Sequence, residues 1–162
     1  MNHTYTQIEK EVRDAGFTIV ETDFAKPWGG YIRIDNSQAQ RFIEKYFAGI
    51  ELPPSTTDAT LSPKILIVEK EKKLSWQVHE RRAEFWRVVT GPVGVYLSPT
   101  DDQPAEPKVF RTGETITVPV GTRHRLAGLD SQSVIAEIWI NTNPLHPSEE
   151  ADIRRLADDF GR

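Results

Sequence analysis

Two separate stretches of this sequence carry side chains that could bind one metal ion. Gln77 and His79 are two residues apart in a segment with strand character, so their side chains point to the same face. Glu84 follows a short turn, and a hairpin would bring its carboxylate back beside His79. His124 comes after a second turn, at residues 119–123, which would supply a fourth donor from another strand. Two imidazoles, a carboxylate and an amide oxygen suit zinc, manganese, iron(II) or nickel and leave a coordination position for a substrate.

The composition excludes several other classes of site and partner. The 162 residues include no cysteine, which rules out disulfides, thiolate zinc sites, iron–sulfur clusters and cysteine nucleophiles. Lysine and arginine residues are scattered along the chain, and the net charge of −4 disfavours a nucleic-acid partner. No apolar run approaches the roughly 18 residues that a membrane span needs, and the N-terminal residues do not resemble a secretory signal. We therefore expect a cytoplasmic protein without a membrane or nucleic-acid partner.

A carboxylate in an apolar segment is a candidate for proton transfer. Glu137 interrupts the apolar residues 134–140, where an ionised side chain is costly unless it is paired or faces a polar pocket. This position makes Glu137 the candidate general base. An inward salt bridge to Arg125 or Arg82 explains the same position equally well, so both interpretations stay open.

Several charged and aromatic residues are candidates for substrate binding. Arg82 shares strand parity with Glu84, which would direct its guanidinium toward the metal or a phosphate; a solvated hairpin charge is the alternative. Trp86 has the same parity and would form a wall of the pocket. Arg125 directly follows His124 and would point to the opposite face unless the turn bends the strand, which favours a structural ion pair. The substrate-binding candidates are Lys64, Arg82, Trp86 and Arg125, with Arg82 and Glu137 as the catalytic candidates.

Helices are predicted on either side of a strand-rich region. Residues 5–15 have apolar side chains at helical spacing, with Gly16 where a helix would end. Ser37 is the expected N-cap of a second helix, which is followed by a loop at 53–57. The end of the chain, from Ser148 onward, resembles a third helix because acidic residues follow a capping residue.

Strands are predicted over most of the remaining sequence. Residues 17–22 and 31–34 form two of them, joined by a turn. From Lys64 onward, many short strands separated by turn residues predict a β-sandwich or a β-barrel. These strands cover residues 64–71, 74–79, 84–89, 94–99, 108–111, 115–120, 124–128 and 134–140.

The spacing of the candidate ligands matches a known family pattern. Gln-x-His-x4-Glu-x6-Gly at residues 77–91 and Gly-x5-Pro-x-Gly-x2-His at residues 113–124 resemble the two cupin motifs. A longer resemblance, from Lys26 to Arg162, is to the cupin domain of type II phosphomannose isomerases. It is carried by the segments at 27–29, 74–79, 82–86, 118–126 and 158–162. A Gln-x-His pair in place of the commoner His-x-His is itself similar to the ligand set of phosphomannose isomerases.

The resemblance implies an all-β cupin fold, a double-stranded β-helix or jelly-roll barrel with short flanking helices. We expect a single, stand-alone cupin domain over residues 1–162. Its N-terminal helix, strands and helical insertion would occupy 1–62, the barrel core with both motifs 63–142, and a C-terminal helix 143–162.

The resemblance also implies a reaction. In this family the cupin domain interconverts mannose 6-phosphate and fructose 6-phosphate with a divalent metal, an aldose–ketose isomerisation that proceeds through an enediolate. Zinc is the expected ion, with manganese, iron, nickel and cobalt as alternatives, and the partner is a small-molecule sugar phosphate. Two other functions stay open: a non-catalytic sugar-binding or regulatory cupin, and a metal-dependent cupin enzyme that acts on another small molecule. A homodimer that covers an open barrel edge is a further expectation.

Overall fold

Strands make up most of the regular structure. The computed structural model describes residues 3–52, 61–143 and 145–161, so the predicted loop at 53–57 lies outside the described residues. Within these ranges, the helices α1 (Tyr5–Asp14) and α2 (Ala39–Tyr46) accompany eleven strands. The strands are β1 (Ile19–Lys26), β2 (Gly29–Ile34), β3 (Lys64–Val68), β4 (Trp76–Val78), β5 (Arg82–Thr90), β6 (Val93–Ser98), β7 (Lys108–Phe110), β8 (Thr115–Val118), β9 (Arg123–Gly128), β10 (Ser133–Asn141) and β11 (Arg154–Ala157).

The strands of the described residues form two antiparallel sheets. One has six strands in the order β1-β2-β3-β10-β5-β8, and the other has five in the order β11-β4-β9-β6-β7. One buried cluster joins Leu66 and Ile135 of the first sheet to Val95 and Leu126 of the second, so the sheets pack face to face. Each of the strands predicted after residue 64 is present in this arrangement.

The inner strands β3 and β10 of the six-stranded sheet are buried on both faces, which explains why β10 is almost entirely apolar. Ala136 and Ile138 pack with residues of both helices in one cluster, whereas Ile135 packs toward the second sheet. Because side chains alternate along a strand, Glu137 and Trp139 share the inner face with Ile135. The carboxylate in this apolar strand is thereby directed into the space between the sheets.

The two helices cover the outer face of the six-stranded sheet. The first predicted helix is confirmed as α1, and Gly16 just past its end has a positive φ of 88°. The second begins later than predicted, because Asn36–Gln38 form a 3-10 turn and α2 starts at Ala39. Asp35 caps that turn by accepting a hydrogen bond from the Ser37 N–H, so Ser37 is not the N-cap. None of the helices in the described residues is both long and apolar enough to cross a membrane.

The end of the chain forms a strand, so the predicted C-terminal helix at 143–162 is wrong. Irregular chain through residues 145–153 leads into β11, which pairs antiparallel with β4. Leu156 of β11 packs against Trp76 on the outer face of the second sheet. A short helix with few apolar residues is marginal in water, whereas the open edge of β4 offers backbone hydrogen bonds to a strand.

Candidate metal centre

Three of the four predicted metal ligands meet between the two sheets. His79 directly follows β4, Glu84 lies on β5 and His124 on β9, and none of the three is more than 4% exposed. His79 Nε2 is 3.0 Å from Glu84 Oε1, and His124 Nε2 is 3.5 Å from Oε2 of the same carboxylate. The candidate ligand atoms all lie within 4.8 Å of one another. One divalent ion could therefore be bound by all three side chains.

The hydrogen bonds of the two imidazoles fix Nδ1 as a donor and direct Nε2 of each ring toward the Glu84 carboxylate. Nδ1 of His79 lies 2.6 Å from the main-chain oxygen of Asp152, and Nδ1 of His124 lies 2.9 Å from that of Thr122. A carbonyl oxygen only accepts hydrogen bonds, so each Nδ1 carries the proton and donates it. The buried Nε2 of His124 has no hydrogen-bond partner among the described residues. An unpartnered lone pair facing a carboxylate fits a metal ligand.

The charges of the cluster also fit a metal site. Burial lowers the pKa of His124 to about 4, more than Glu84 raises it, so this imidazole is neutral at neutral pH. Burial alone would raise the pKa of Glu84, but His79, His124 and Arg82 outweigh it and hold that pKa well below the ordinary value. A neutral imidazole and an ionised carboxylate are the forms that bind a metal without releasing protons.

Gln77, the fourth predicted ligand, lines the same cavity as His79 and Glu84. It lies directly opposite His124 in the β4–β9 pair, and residues directly opposite one another share a face of the sheet. Its Oε1 accepts a hydrogen bond from Ser75 Oγ at 3.2 Å. The amide oxygen therefore lies on the correct face to complete the ligand set, a role that stays a prediction.

Arg82 is buried beside the ligands and is not a solvated hairpin charge. Its side chain is 5% exposed, and its Nε donates to Glu84 Oε1 at 3.0 Å. Its Nη1 donates to Ser148 Oγ at 2.8 Å and to the main-chain oxygen of Glu149 at 3.1 Å. The guanidinium is thus fixed at the edge of the ligand cluster by the chain that follows β10.

The same segment after β10 orients His79. The main-chain oxygen of Asp152 accepts a hydrogen bond from His79 Nδ1. The carboxylate of Asp152 accepts hydrogen bonds from the main-chain N–H groups of Glu80 and Arg81, each at 3.1 Å. Ser148 Oγ donates to that carboxylate at 2.6 Å. The predicted helix kept Ser148 and Asp152 from being recognised, since a serine followed by acidic residues at 149 and 150 resembles a helix start.

Glu137 projects into the cavity from β10. Its Oε2 accepts a hydrogen bond from Trp86 Nε1 at 2.9 Å and its Oε1 one from Trp139 Nε1 at 3.3 Å. The salt bridge that was the alternative explanation for Glu137 is absent from the described residues. Burial raises the pKa of Glu137 to about 7, and the negative charge of Glu84 adds to this effect. This carboxyl group can therefore take up and release a proton near neutral pH.

Two lysines also line the cavity. Lys64, a predicted substrate-binding residue, is largely buried and its Nζ lies 2.5 Å from Glu150 Oε1. Lys26, which sequence analysis did not single out, lies 3.2 Å from Asp23. These two lysines place positive charge on the cavity wall in addition to the charge of Arg82.

Arg155 is a second cavity residue that sequence analysis missed. It is exposed on β11 directly opposite Gln77, and it makes no ion pair within the described part of the chain. No local signal could have found it, because the assumed helix gave Arg155 no neighbour in β4. The guanidinium is thus available to an anion in the cavity.

Two predicted substrate-binding residues, Trp86 and Arg125, do not line the cavity. Trp86 is 1% exposed and packs edge-on against the ring of His124, behind the ligands. Arg125 points to the other face of β9, as strand alternation requires, and its Nη2 lies 2.6 Å from Asp159. The structure therefore does not support substrate binding by either residue.

Metal binding to this cluster is expected to raise the thermal stability of the protein. At about 100 times its dissociation constant, Zn²⁺ should stabilise the wild type by about 2.7 kcal/mol because it binds only the folded chain. Replacing His124 by alanine removes the unpartnered Nε2 and should abolish most of this shift in thermal scans. His146→Ala, which removes an exposed histidine, is the matched control and should leave the shift intact. Equal shifts in wild type and His124→Ala would place the bound metal elsewhere.

The buried Glu137 should make the metal-free protein less stable as the pH rises. The pKa of Glu137 is about 7 in the folded chain against an ordinary 4.5, so the folded state binds the extra proton. The contribution of the protonated Glu137 side chain to the free energy of unfolding is fully present below pH 4.5 and is lost as the pH rises through 7. Glu137→Gln stays neutral, so between pH 4.5 and 8 the wild type should lose about 3 kcal/mol relative to this variant. Urea unfolding at both pH values measures the difference, and a constant difference would contradict the raised pKa.

Comparison with known proteins assigns the chain to a family. The profile of the family described as mannose-6-phosphate isomerase C-terminal matches residues 56–158. The chain is 27% identical over 144 residues to a mannose-1-phosphate guanylyltransferase of Salmonella montevideo, an alignment that covers 89% of this chain and 24% of that protein. The chain thus spans about a quarter of the length of the curated relatives it matches.

Solved structures share the fold at low sequence identity. The capsular polysaccharide assembling protein CapF of Staphylococcus aureus has a TM-score of 0.56 and 15% identity, covering 85% of this chain and 34% of that chain. Drosophila melanogaster CENP-C bound to CAL1 has a TM-score of 0.52 and 15% identity, covering 74% of this chain and 75% of that chain. Such similarity shows the fold alone. The predicted cupin fold is confirmed, and the chain belongs to the mannose-6-phosphate isomerase C-terminal family of cupin domains.

Proposed function

We propose that this protein is a metal-dependent aldose–ketose isomerase that interconverts mannose 6-phosphate and fructose 6-phosphate. The observation that carries the proposal is the cavity, which combines a buried His79, Glu84 and His124 cluster with a carboxyl group of raised pKa and a cationic wall. The family match supports a sugar phosphate as the ligand. We propose further that residues 1–162 act as one cupin domain, since both helices pack on the six-stranded sheet.

The polar groups at the inner end of the cavity suit a reaction that develops negative charge on oxygen. A divalent ion held by Gln77, His79, Glu84 and His124 would supply a Lewis acid for the sugar oxygens. Arg82 adds a fixed guanidinium at the same place, held by Glu84 and by the segment after β10. A preorganised cation stabilises an enediolate oxygen without the cost of reorientation during the reaction.

Glu137 is the proposed general base. Moving a proton between neighbouring carbons needs a group that is ionised before the reaction and protonated during it. A pKa of about 7 matches that need near neutral pH. The two indole N–H groups hold the carboxylate in one orientation, and its negative form is further stabilised by the positive charges of Lys64 and Arg82.

The outer part of the cavity is the proposed phosphate subsite. Lys64 and Arg155 belong to its wall, and Arg155 is free of ion pairs within the described residues. Guanidinium and ammonium groups are the side chains that bind phosphate oxygens most strongly. The sugar would then extend from this subsite to the ligand cluster, with its reacting carbons between Arg82 and Glu137.

The direct test of the proposed function is turnover of mannose 6-phosphate by the metal-loaded protein, followed as fructose 6-phosphate formation. His79→Ala should abolish activity because the ligand cluster is broken. Glu137→Gln should reduce kcat by a factor of about 100 or more, because it keeps the size of the side chain but cannot take up the proton. The exposed His146→Ala variant serves as the control. A metal-loaded wild type that binds mannose 6-phosphate without turnover would favour a sugar-binding cupin instead.

The phosphate subsite predicts a separate effect on substrate affinity. Arg155→Ala should raise KM for mannose 6-phosphate about tenfold and leave kcat nearly unchanged, because it removes one charge-assisted hydrogen bond to the phosphate and leaves Arg82, Glu137 and the metal ligands in place. Arg154→Ala is the matched control, since Arg154 is the neighbouring exposed arginine, does not line the cavity and lies 3.6 Å from Asp101. Equal KM values for the two variants would place the phosphate elsewhere.

A further inference from the structure

We propose that Trp139 is a positioning residue that holds the general base and two cations of the cavity in one arrangement, an inference that rests on the proposed isomerase function. Trp139 lies on the inner face of β10, directly opposite Glu84 of β5. Three separate contacts of its indole ring carry the proposal.

The first contact is made by the edge of the ring. Trp139 Nε1 donates a hydrogen bond to Glu137 Oε1 at 3.3 Å, and Trp86 Nε1 donates to the other oxygen at 2.9 Å. Each oxygen of the carboxylate is thereby held by one indole N–H group. The side chain of Glu137 cannot rotate without breaking both bonds.

The other two contacts are made by the face of the ring. The guanidinium carbon of Arg82 lies 3.7 Å from the ring centroid, and the ammonium nitrogen of Lys64 lies 4.6 Å from it. Both distances are within the range in which a cation is attracted by the negative face of an indole ring. Trp139 therefore binds an anion at its edge and two cations at its face.

The backbone holds Trp139 in place. The residue is 1% exposed, and its main-chain N–H donates to the oxygen of Leu61 at 2.8 Å. Because β10 is paired with β3 on one side and β5 on the other, the ring cannot shift without disturbing the six-stranded sheet. The positions of Glu137, Arg82 and Lys64 are consequently linked through one fixed side chain.

This arrangement assigns two separable tasks to one residue. The indole N–H positions the base and should affect the rate of proton transfer. The ring face positions Lys64, which should affect binding of the phosphate, and Arg82, which should affect stabilisation of the enediolate. A phenylalanine at this position keeps an aromatic face but has no N–H, whereas a leucine has neither.

The test compares Trp139→Phe and Trp139→Leu in two assays. For the isomerase reaction, we expect kcat to fall about tenfold in Trp139→Phe with KM nearly unchanged, since one hydrogen bond to the base is lost. In Trp139→Leu we expect a larger fall in kcat, because the contact to Arg82 is lost as well, together with a KM raised about fivefold, because the contact to Lys64 is lost. Calorimetric binding of inorganic phosphate, which requires no turnover, should weaken in Trp139→Leu and remain in Trp139→Phe.

Two further variants separate positioning from general loss of stability. Trp86→Phe removes the other indole N–H bond to Glu137 and should lower kcat without weakening phosphate binding. Trp76→Phe also removes a buried indole hydrogen bond, here to the main-chain oxygen of Asp101, but on the outer face of the second sheet. It should lower the melting temperature and leave kcat and KM unchanged. If Trp139→Leu does not fold, the kcat of Trp139→Phe decides the question alone.

The outcomes distinguish the two proposals. A wild type that binds phosphate without isomerase activity would contradict the proposed function, while weaker phosphate binding in Trp139→Leu would still support the positioning role. Unchanged kinetics and unchanged phosphate binding in a folded Trp139→Leu would overturn that role. A wild type that neither binds phosphate nor isomerises the sugar would overturn both.

Discussion

The burial of one carboxylate, that of Glu84, is the constraint on which the rest of the site depends. A charge only 3% exposed is stable only if cations or polar hydrogens surround it. Here Arg82 Nε donates to one oxygen at 3.0 Å, and His79 Nε2 lies 3.0 Å from the same oxygen. These contacts hold the pKa of Glu84 well below its ordinary value in spite of burial. A divalent ion would strengthen the same compensation, since it places positive charge among the same atoms.

The inner strands of the six-stranded sheet are buried on both faces, and this decides which residues can surround the Glu84 carboxylate. One face of β10 packs on the helices, so it is closed to polar groups. The inner face receives Glu137, which lines the polar cavity, and Trp139, whose indole N–H donates a hydrogen bond to Glu137. Strand alternation thus separates the residues that stabilise the fold from those that can do chemistry.

The elements that sequence patterns predicted well are those whose signals are local. The first helix has a capping residue and a glycine stop, and the strands after residue 64 are bounded by turn residues, so both were found. The chain after Ser148 carries a helix-like signal but forms β11, because pairing with β4 satisfies its backbone. The second helix starts at Ala39, later than predicted, because Asp35 caps a 3-10 turn that precedes it.

The sequence by itself determined the cupin pattern and the inward direction of Gln77, His79 and Glu84, because parity and turn spacing within neighbouring strands follow from local geometry. Only the tertiary structure decided where two further residues of the site, Arg155 and Trp139, lie. Arg155 reaches the cavity because β11 pairs with β4, and Trp139 meets its cations because β10 lies between β3 and β5. Those pairings join segments far apart in the chain, and they depend on which strand edges are left open after folding, which no local pattern of residues encodes.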